Sequence, residues 1–253
     1  RQGTKLDGTN PTLASGYGGY GISITPTFVP IRRILLDHGF VIAIANLRGG
    51  GEYGEAWHLA GNLTHKQNVF DDFTAVLEHL IARKYTSSEH LAIIGGSNGG
   101  LLMGAILVQH PQLVNVVVSF VGIYDTLRTE LSPNGEFNIT EFGTVKDPAQ
   151  FPAMLAYSPY ENVQQGVRYP AVLMLTGAND PRVEPMQSRK MIARLQAATA
   201  TATASRAPIL LRTSDTSGHG SGTPLAELIG ESVDVYAFLF DQLGIEFRAT
   251  DQP

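Results

Sequence analysis

The sequence predicts an α/β protein built on a mostly parallel, doubly wound sheet. Three observations point there. Short apolar runs rich in β-branched residues recur along the chain and are continuous rather than alternating, as strands buried on both faces are. Stretches with apolar residues three and four apart lie between them. The 253 residues, 43% of them hydrophobic, suffice for one large core that needs neither disulfide nor metal.

The elements follow in chain order. "PTLA" (Pro11 to Ala14) is strand-like, and "VIAIANL" (Val41 to Leu47) is the first full strand pattern. Val69, Phe73, Val76, Leu77, Leu80 and Ile81 make one stripe on a helix of about four to five turns, with Asp71 and Asp72 expected in its first turn. "LAIIG" (Leu91 to Gly95) is a strand, and Leu101 to His110 a helix stopped by Pro111. "NVVVSFVG" (Asn115 to Gly122) and "AVLMLTG" (Ala171 to Gly177) are further strands. Gln187 to Ala198 reads as a helix, "PILLRT" (Pro208 to Thr213) as the last strand and Leu225 to Leu243 as the last helix. Strands alternating with helices imply right-handed crossovers. Thr129 to Gly166 is too long for an ordinary connection and is expected to form a cap or pocket wall. "AATATATASRAP" is a low-complexity surface loop. There is no internal repeat, and residues 1–253 are expected to form a single domain.

Composition narrows the function. The net charge of −5 argues against nucleic acid or an anionic membrane as the main partner. The chain has no cysteine, so it holds no disulfide or thiolate ligand, and its histidines lack metal-site spacing. No metal or cofactor is expected. There is no 18-residue apolar run and no leader pattern in the opening "RQGTKLDGTN". A soluble protein is expected, cytoplasmic or secreted, with no oligomeric state assigned.

The chemistry concentrates in "LAIIGGSNGG". Gly95-Gly96-Ser97-Asn98-Gly99 fits G-x-S-x-G, with a buried strand before it and a helix after it. At such an elbow the serine occupies a strained turn, and glycines two before and two after remove collisions with strand and helix. The Ser97 hydroxyl is lifted above the sheet edge, and the Asn98 amide can face a developing oxyanion. A phosphate-binding loop would need G-x-x-x-x-G-K-[ST], and a dinucleotide loop G-x-G-x-x-G; neither is present here.

A serine needs a base, and the base a carboxylate. α/β-hydrolases supply them in the order Ser, acid, His from loops after later strands. Only His110 and His219 follow Ser97. His110 ends the helix that starts at the elbow, over ~13 Å away at 1.5 Å per residue. His219, in "SDTSGHGSG", sits in the loop after the last strand and is the expected base. Asp180, in "ANDPRVEP" directly after "AVLMLTG", is the expected acid. Its rivals are Asp125 one strand earlier, Asp215 in the histidine's own loop, and Glu184 four residues on.

With these residues placed, the sequence resembles the catalytic domain of the prolyl oligopeptidase family of serine peptidases. "YGGYGISITP", "ANLRGGGEYGEAWH", "KQNVFDDF", "GGSNGGLL", "GANDPRVEP" and "GHGSG" carry the resemblance, in order, from "GTKLDGTNP" to "GIEF". It implies an α/β-hydrolase fold with Ser97, Asp180 and His219 as the catalytic triad. It further implies that the Tyr17 hydroxyl is the second oxyanion donor and that Arg182 binds a carbonyl of the bound peptide. Val183, Tyr20 and Phe142 fall at positions lining the pocket for the residue before the cut bond. Asn138 stands where the family has a tryptophan that stacks on substrate proline, with Phe137 beside it. "RGGGEYGEAW" reads as a structural loop, with Arg48 in an internal ion pair. The family also carries a β-propeller, and none fits in this chain. The expected partner is therefore a peptide or an ester. Two activities stay open: peptide cleavage, with cleavage after proline as one form of it, and carboxylester cleavage of aryl or feruloyl type on the same triad.

Overall fold

In the computed structural model, which describes residues 3–199 and 207–249, the apolar runs form one sheet. Its strands are β1 (Thr12–Gly16), β2 (Val41–Ala45), β3 (Leu91–Gly96), β4 (Val116–Phe120), β5 (Ala171–Gly177) and β6 (Ile209–Ser214). Their order is β2-β1-β3-β4-β5-β6, and every pairing is parallel. The helices are α1 (Arg32–Asp37), α2 (Glu55–Leu59), α3 (Gln67–Ala82), α4 (Asn98–Gln109), α5 (Gly135–Phe142), α6 (Phe151–Tyr157), α7 (Met186–Thr199) and α8 (Leu225–Gln242).

Side chains alternate along each strand, so each face feeds its own core. Ile93, Val117, Val172 and Met174 join the buried residues of α3, α4 and α7 on one face. Ala92, Val116, Val118, Leu173 and Leu175 join Leu35 of α1 and Val235, Phe238 and Leu239 of α8 on the other. This two-sided burial is why the central strands read as continuous apolar runs. The chain moves outward from β1 to β2 and then returns to β3 on β1's other side. That reversal leaves a crevice beyond the carboxyl ends of β1 and β3, the place where open α/β sheets bind ligands.

Two readings need correction. The α3 stripe holds, with Val69, Phe70, Phe73, Leu77 and Leu80 buried, but the helix starts at Gln67. Asp71 and Asp72 therefore lie beyond its first turn. Asp72 instead serves Arg48, accepting from its backbone N–H at 3.0 Å and its guanidinium Nη2 at 2.5 Å. This is the internal pair expected of Arg48. The short α1 and α2 were not foreseen; about one to one and a half turns is too little for a period to show. The long 129–166 stretch holds α5 and α6, and its Phe142, Met154 and Tyr157 join the larger core. The low-complexity stretch lies mostly outside the described residues, at 200–206.

Candidate active site

Four loops converge at the carboxyl ends of the strands. The β3–α4 turn carries Ser97, whose φ of 56° and ψ of −119° are a strained conformation for a non-glycine residue. Glycine at 95 makes the turn possible, because a Cβ there would lie 2.5 Å from the Gly99 carbonyl oxygen. The Ser97 N–H donates to the Phe120 carbonyl at 2.9 Å, tying the elbow to the end of β4. Asn98 is the first residue of α4, so its amide is among those that no intrahelical carbonyl reaches.

His219 comes from the loop between β6 and α8, and Asp180 from the loop after β5. The imidazole Nε2 is 2.9 Å from Ser97 Oγ, and its Nδ1 is 2.8 Å from Asp180 Oδ2. The other carboxylate oxygen, Oδ1, accepts the backbone N–H groups of Arg182 at 2.8 Å and Val183 at 2.9 Å. The Asp180 side chain is fully buried and that of His219 is 12% exposed. Neighbouring bonds stitch the two loops together. The Asn179 N–H donates to the Ser217 carbonyl at 3.1 Å, and its side-chain amide to the Asp215 carbonyl at 2.9 Å. The rival acids are engaged or turned away. Asp125 is held by Arg128 and Lys190, and Glu184 and Asp215 are exposed.

The β1 loop brings Tyr17 and Tyr20. Burial pushes the Tyr17 phenol above its ordinary value, and a hydrogen bond with Ser97 pulls partly against it. The Asn98 side-chain amide donates to the Tyr17 carbonyl at 2.6 Å. Tyr20 stands at φ 55°, its hydroxyl donating to Asn138 Oδ1 at 2.7 Å. Phe137 stacks on the Tyr20 ring at 5.5 Å and 13°, and is 63% exposed. Phe142 is buried and meets the edge of Tyr20 at 5.8 Å. Asn138 is buried too, so among the residues of α5 it is Phe137 that offers an open ring face. Val183 is buried, while Arg182 is exposed and near enough for its charge to bear on the Tyr17 phenol.

Residues 26–246 match the model of the prolyl oligopeptidase family. The chain belongs to that family. It is 39% identical over 247 residues to a prolyl endopeptidase of Elizabethkingia meningoseptica, covering 97% of this chain and 34% of that protein. A prolyl endopeptidase of Dictyostelium discoideum is 42% identical over 244 residues, covering 95% and 32%. Among solved structures, a prolyl endopeptidase superposes with a TM-score of 0.92 at 47% identity, over 97% of this chain and 36% of that one. Prolyl oligopeptidase B of Galerina marginata, bound to a 35mer hydrolysis and macrocyclization substrate, gives 0.91 at 35% identity, over 97% and 34%. The chain thus spans about a third of the length of the relatives it matches. The α/β-hydrolase fold expected from the elbow is the fold of this family's catalytic domains.

One group lay beyond reach of the sequence. Lys66, Glu141 and His58 meet beneath the Tyr17–Tyr20 loop, with Lys66 Nζ 2.7 Å from Glu141 Oε1 and His58 Nε2 3.0 Å from Oε2. The quoted motifs contain the lysine and the histidine, but no spacing links them to a glutamate 75 residues on. No cluster of metal-ligating side chains occurs among the described residues, and none of their helices is long and apolar enough to cross a membrane.

Proposed function

We propose that this chain is the catalytic domain of a serine peptidase that cleaves peptide bonds, with proline preferred before the cut bond. The Ser97–His219–Asp180 relay, closed at 2.9 and 2.8 Å by loops from three strands, carries the reading. Ser97 Oγ attacks the substrate carbonyl carbon while His219 Nε2 takes its proton. The imidazolium then gives that proton to the leaving amine, and an acyl-enzyme remains. Water repeats the sequence, with His219 as base, and frees the acid. Asp180 holds the imidazole with its proton on Nδ1. The Asn98 N–H and the Tyr17 hydroxyl receive the negative charge on the carbonyl oxygen; one such donor is worth ~3 kcal/mol.

The pocket before the cut bond falls to Tyr20, Phe137 and Val183, backed by Asn138 and Phe142, in the wall formed by residues 129–166. The open face of Phe137 supports the proline preference, since it gives a flat ring beside Asn138, the position where the family has its tryptophan. Arg182 is placed to bind a peptide carbonyl. The relatives' names support a peptidase over an esterase, since each describes a peptidase.

Two measurements test the reading. Ser97→Ala abolishes labelling by a fluorophosphonate probe and turnover of a Gly-Pro anilide. Labelling that survives in the variant removes Ser97 from the nucleophile's role. A wild-type chain that turns over a short p-nitrophenyl ester but no amide would be a carboxylesterase instead.

A further inference from the structure

The hydrolytic steps leave one buried ion pair without a task. The Lys66 side chain is fully buried and that of Glu141 is 2% exposed. Burial pulls the Lys66 ammonium below its ordinary value, and the Glu141 carboxylate pulls it back up. Removing two charges from water is seldom recovered as stability, because apolar side chains of like volume pack as well or better. What sets this pair apart is what it touches.

Lys66 Nζ also donates to the Gly18 carbonyl at 3.1 Å. The preceding carbonyl, that of Tyr17, is held by the Asn98 side-chain amide. Two successive carbonyls of one loop are thus anchored by buried side chains from different elements. The loop lies close against both anchors. A Cβ at Gly19 would come within 2.5 Å of Asn98 Nδ2, and one at Gly18 within 2.3 Å of Val69 Cγ1. The Tyr17 Cα thus stands between the last residue of β1 and a peptide plane held by Asn98, and Lys66 holds the next plane of the same loop. Glu141, at the other end of the pair, lies on α5, the helix that carries Phe137, Asn138 and Phe142. A second link runs parallel, from the Tyr20 hydroxyl to Asn138.

We propose that Lys66 and Glu141 are positioning residues that lock the Tyr17 loop to α5, so that the pocket wall and the oxyanion donor move as one piece. The proposal rests on the peptidase reading above. It assigns to the pair a part in transition-state binding that acts through Tyr17.

The test is a double-mutant cycle between Lys66→Met and Tyr17→Phe, read with a Gly-Pro anilide. Lys66→Met alone lowers kcat about tenfold and moves KM less than about twofold, as loss of a transition-state interaction does. In the Tyr17→Phe chain the same substitution changes kcat less than about twofold, because the group it positions is already gone. An unchanged kcat, or an equal loss in both backgrounds, overturns the proposal. Should Lys66→Met fold poorly, the uncharged pair Lys66→Met with Glu141→Leu carries the test. That chain is expected to keep its thermal midpoint and still lose kcat through Tyr17. If it regains wild-type kcat, or does not fold, the pair is a core element only and the proposal falls. Failure of the peptidase reading looks different: the wild-type chain would then not turn over the anilide, or Ser97→Ala would retain that turnover, whatever happens at Lys66.

Discussion

Asp180→Asn is the sharpest probe of the relay, because the structure dictates which way the new amide must point. Asp180 Oδ1 accepts two backbone N–H groups, from Arg182 and Val183, while Oδ2 faces His219 Nδ1. An asparagine can keep its carbonyl oxygen toward the two N–H groups, which sends its NH₂ toward the imidazole. The opposite orientation forfeits two hydrogen bonds worth ~1 kcal/mol each and buries unmet donors at ~1–3 kcal/mol more. The first orientation is therefore preferred by about 4 kcal/mol, roughly a thousandfold. His219 Nδ1 must then accept, so the ring proton moves to Nε2, 2.9 Å from Ser97 Oγ. In that tautomer the ring cannot take the serine proton. The expected loss in kcat is about 10⁴-fold, ~5.4 kcal/mol, with the fold intact. The assay is kcat and KM on a Gly-Pro anilide, beside a thermal melt of the same sample. A variant that melts like wild type yet keeps kcat within about tenfold refutes the orienting role of Asp180.

Two further outcomes are expected. Phe137→Ala removes an exposed ring stacked on Tyr20 and should cut the preference for proline over alanine before the cut bond about fivefold, while stability moves within ~0.5 kcal/mol; an unchanged ratio of kcat/KM between matched substrates would show that the ring does not read proline. Stability should fall in alkali, because burial raises the phenols of Tyr20, Tyr124 and Tyr157 well above their ordinary value. Below the unfolded value of about 10 both states keep these protons; above it the unfolded chain releases what the folded chain retains, costing ~4 kcal/mol per pH unit for three groups. The lowered Lys66 acts with opposite sign, and its contribution ends near its unfolded value of 10.5. Urea unfolding from roughly pH 9 to 11.5 gives the slope, which Tyr124→Phe should reduce by about 1.4 kcal/mol per unit; a flat profile contradicts it.

The strands were legible because burial on both faces leaves few polar positions, and β3, β4 and β5 keep that signature to within a residue or two. The residues proposed for the triad were read from a different signal. Ser97 stands directly after β3, Asp180 three residues after β5 and His219 five residues after β6, so a local pattern puts each in a loop at one end of the sheet. The anchors below the Tyr17 loop had no such signal. Lys66 follows a 3₁₀ turn, His58 sits in a five-residue helix and Glu141 in an eight-residue one. Only tertiary packing brings them together. Asp72 shows the same limit on a smaller scale. Its sequence position suggested a favourable interaction with the helix dipole, yet its carboxylate is taken by Arg48, 24 residues earlier.

The elbow also explains why a helix as apolar as α4 follows Ser97. Holding Ser97 at φ 56° costs on the order of 1–3 kcal/mol, and a strained turn persists only where its surroundings leave no alternative. Ten of the twelve residues of α4, Asn98 through Leu107, are buried. Each buried Leu, Ile or Met contributes ~1.5–3 kcal/mol, so Leu101, Leu102, Met103, Ile106 and Leu107 together far exceed the strain. Relaxing Ser97 would rotate α4 against β3 and β4 and expose part of that surface. It would also drive Gly100 against Gly122, where even a Cβ would come within 2.5 Å of the neighbouring Cα. Of the other described non-glycine residues with positive φ, Val121 directly follows β4 and Tyr20 lies in the loop after β1, while Leu63 and Lys84 flank α3. The strain at Ser97 thus lies where chemistry is proposed, and the helix that begins beside it is the element that holds it there.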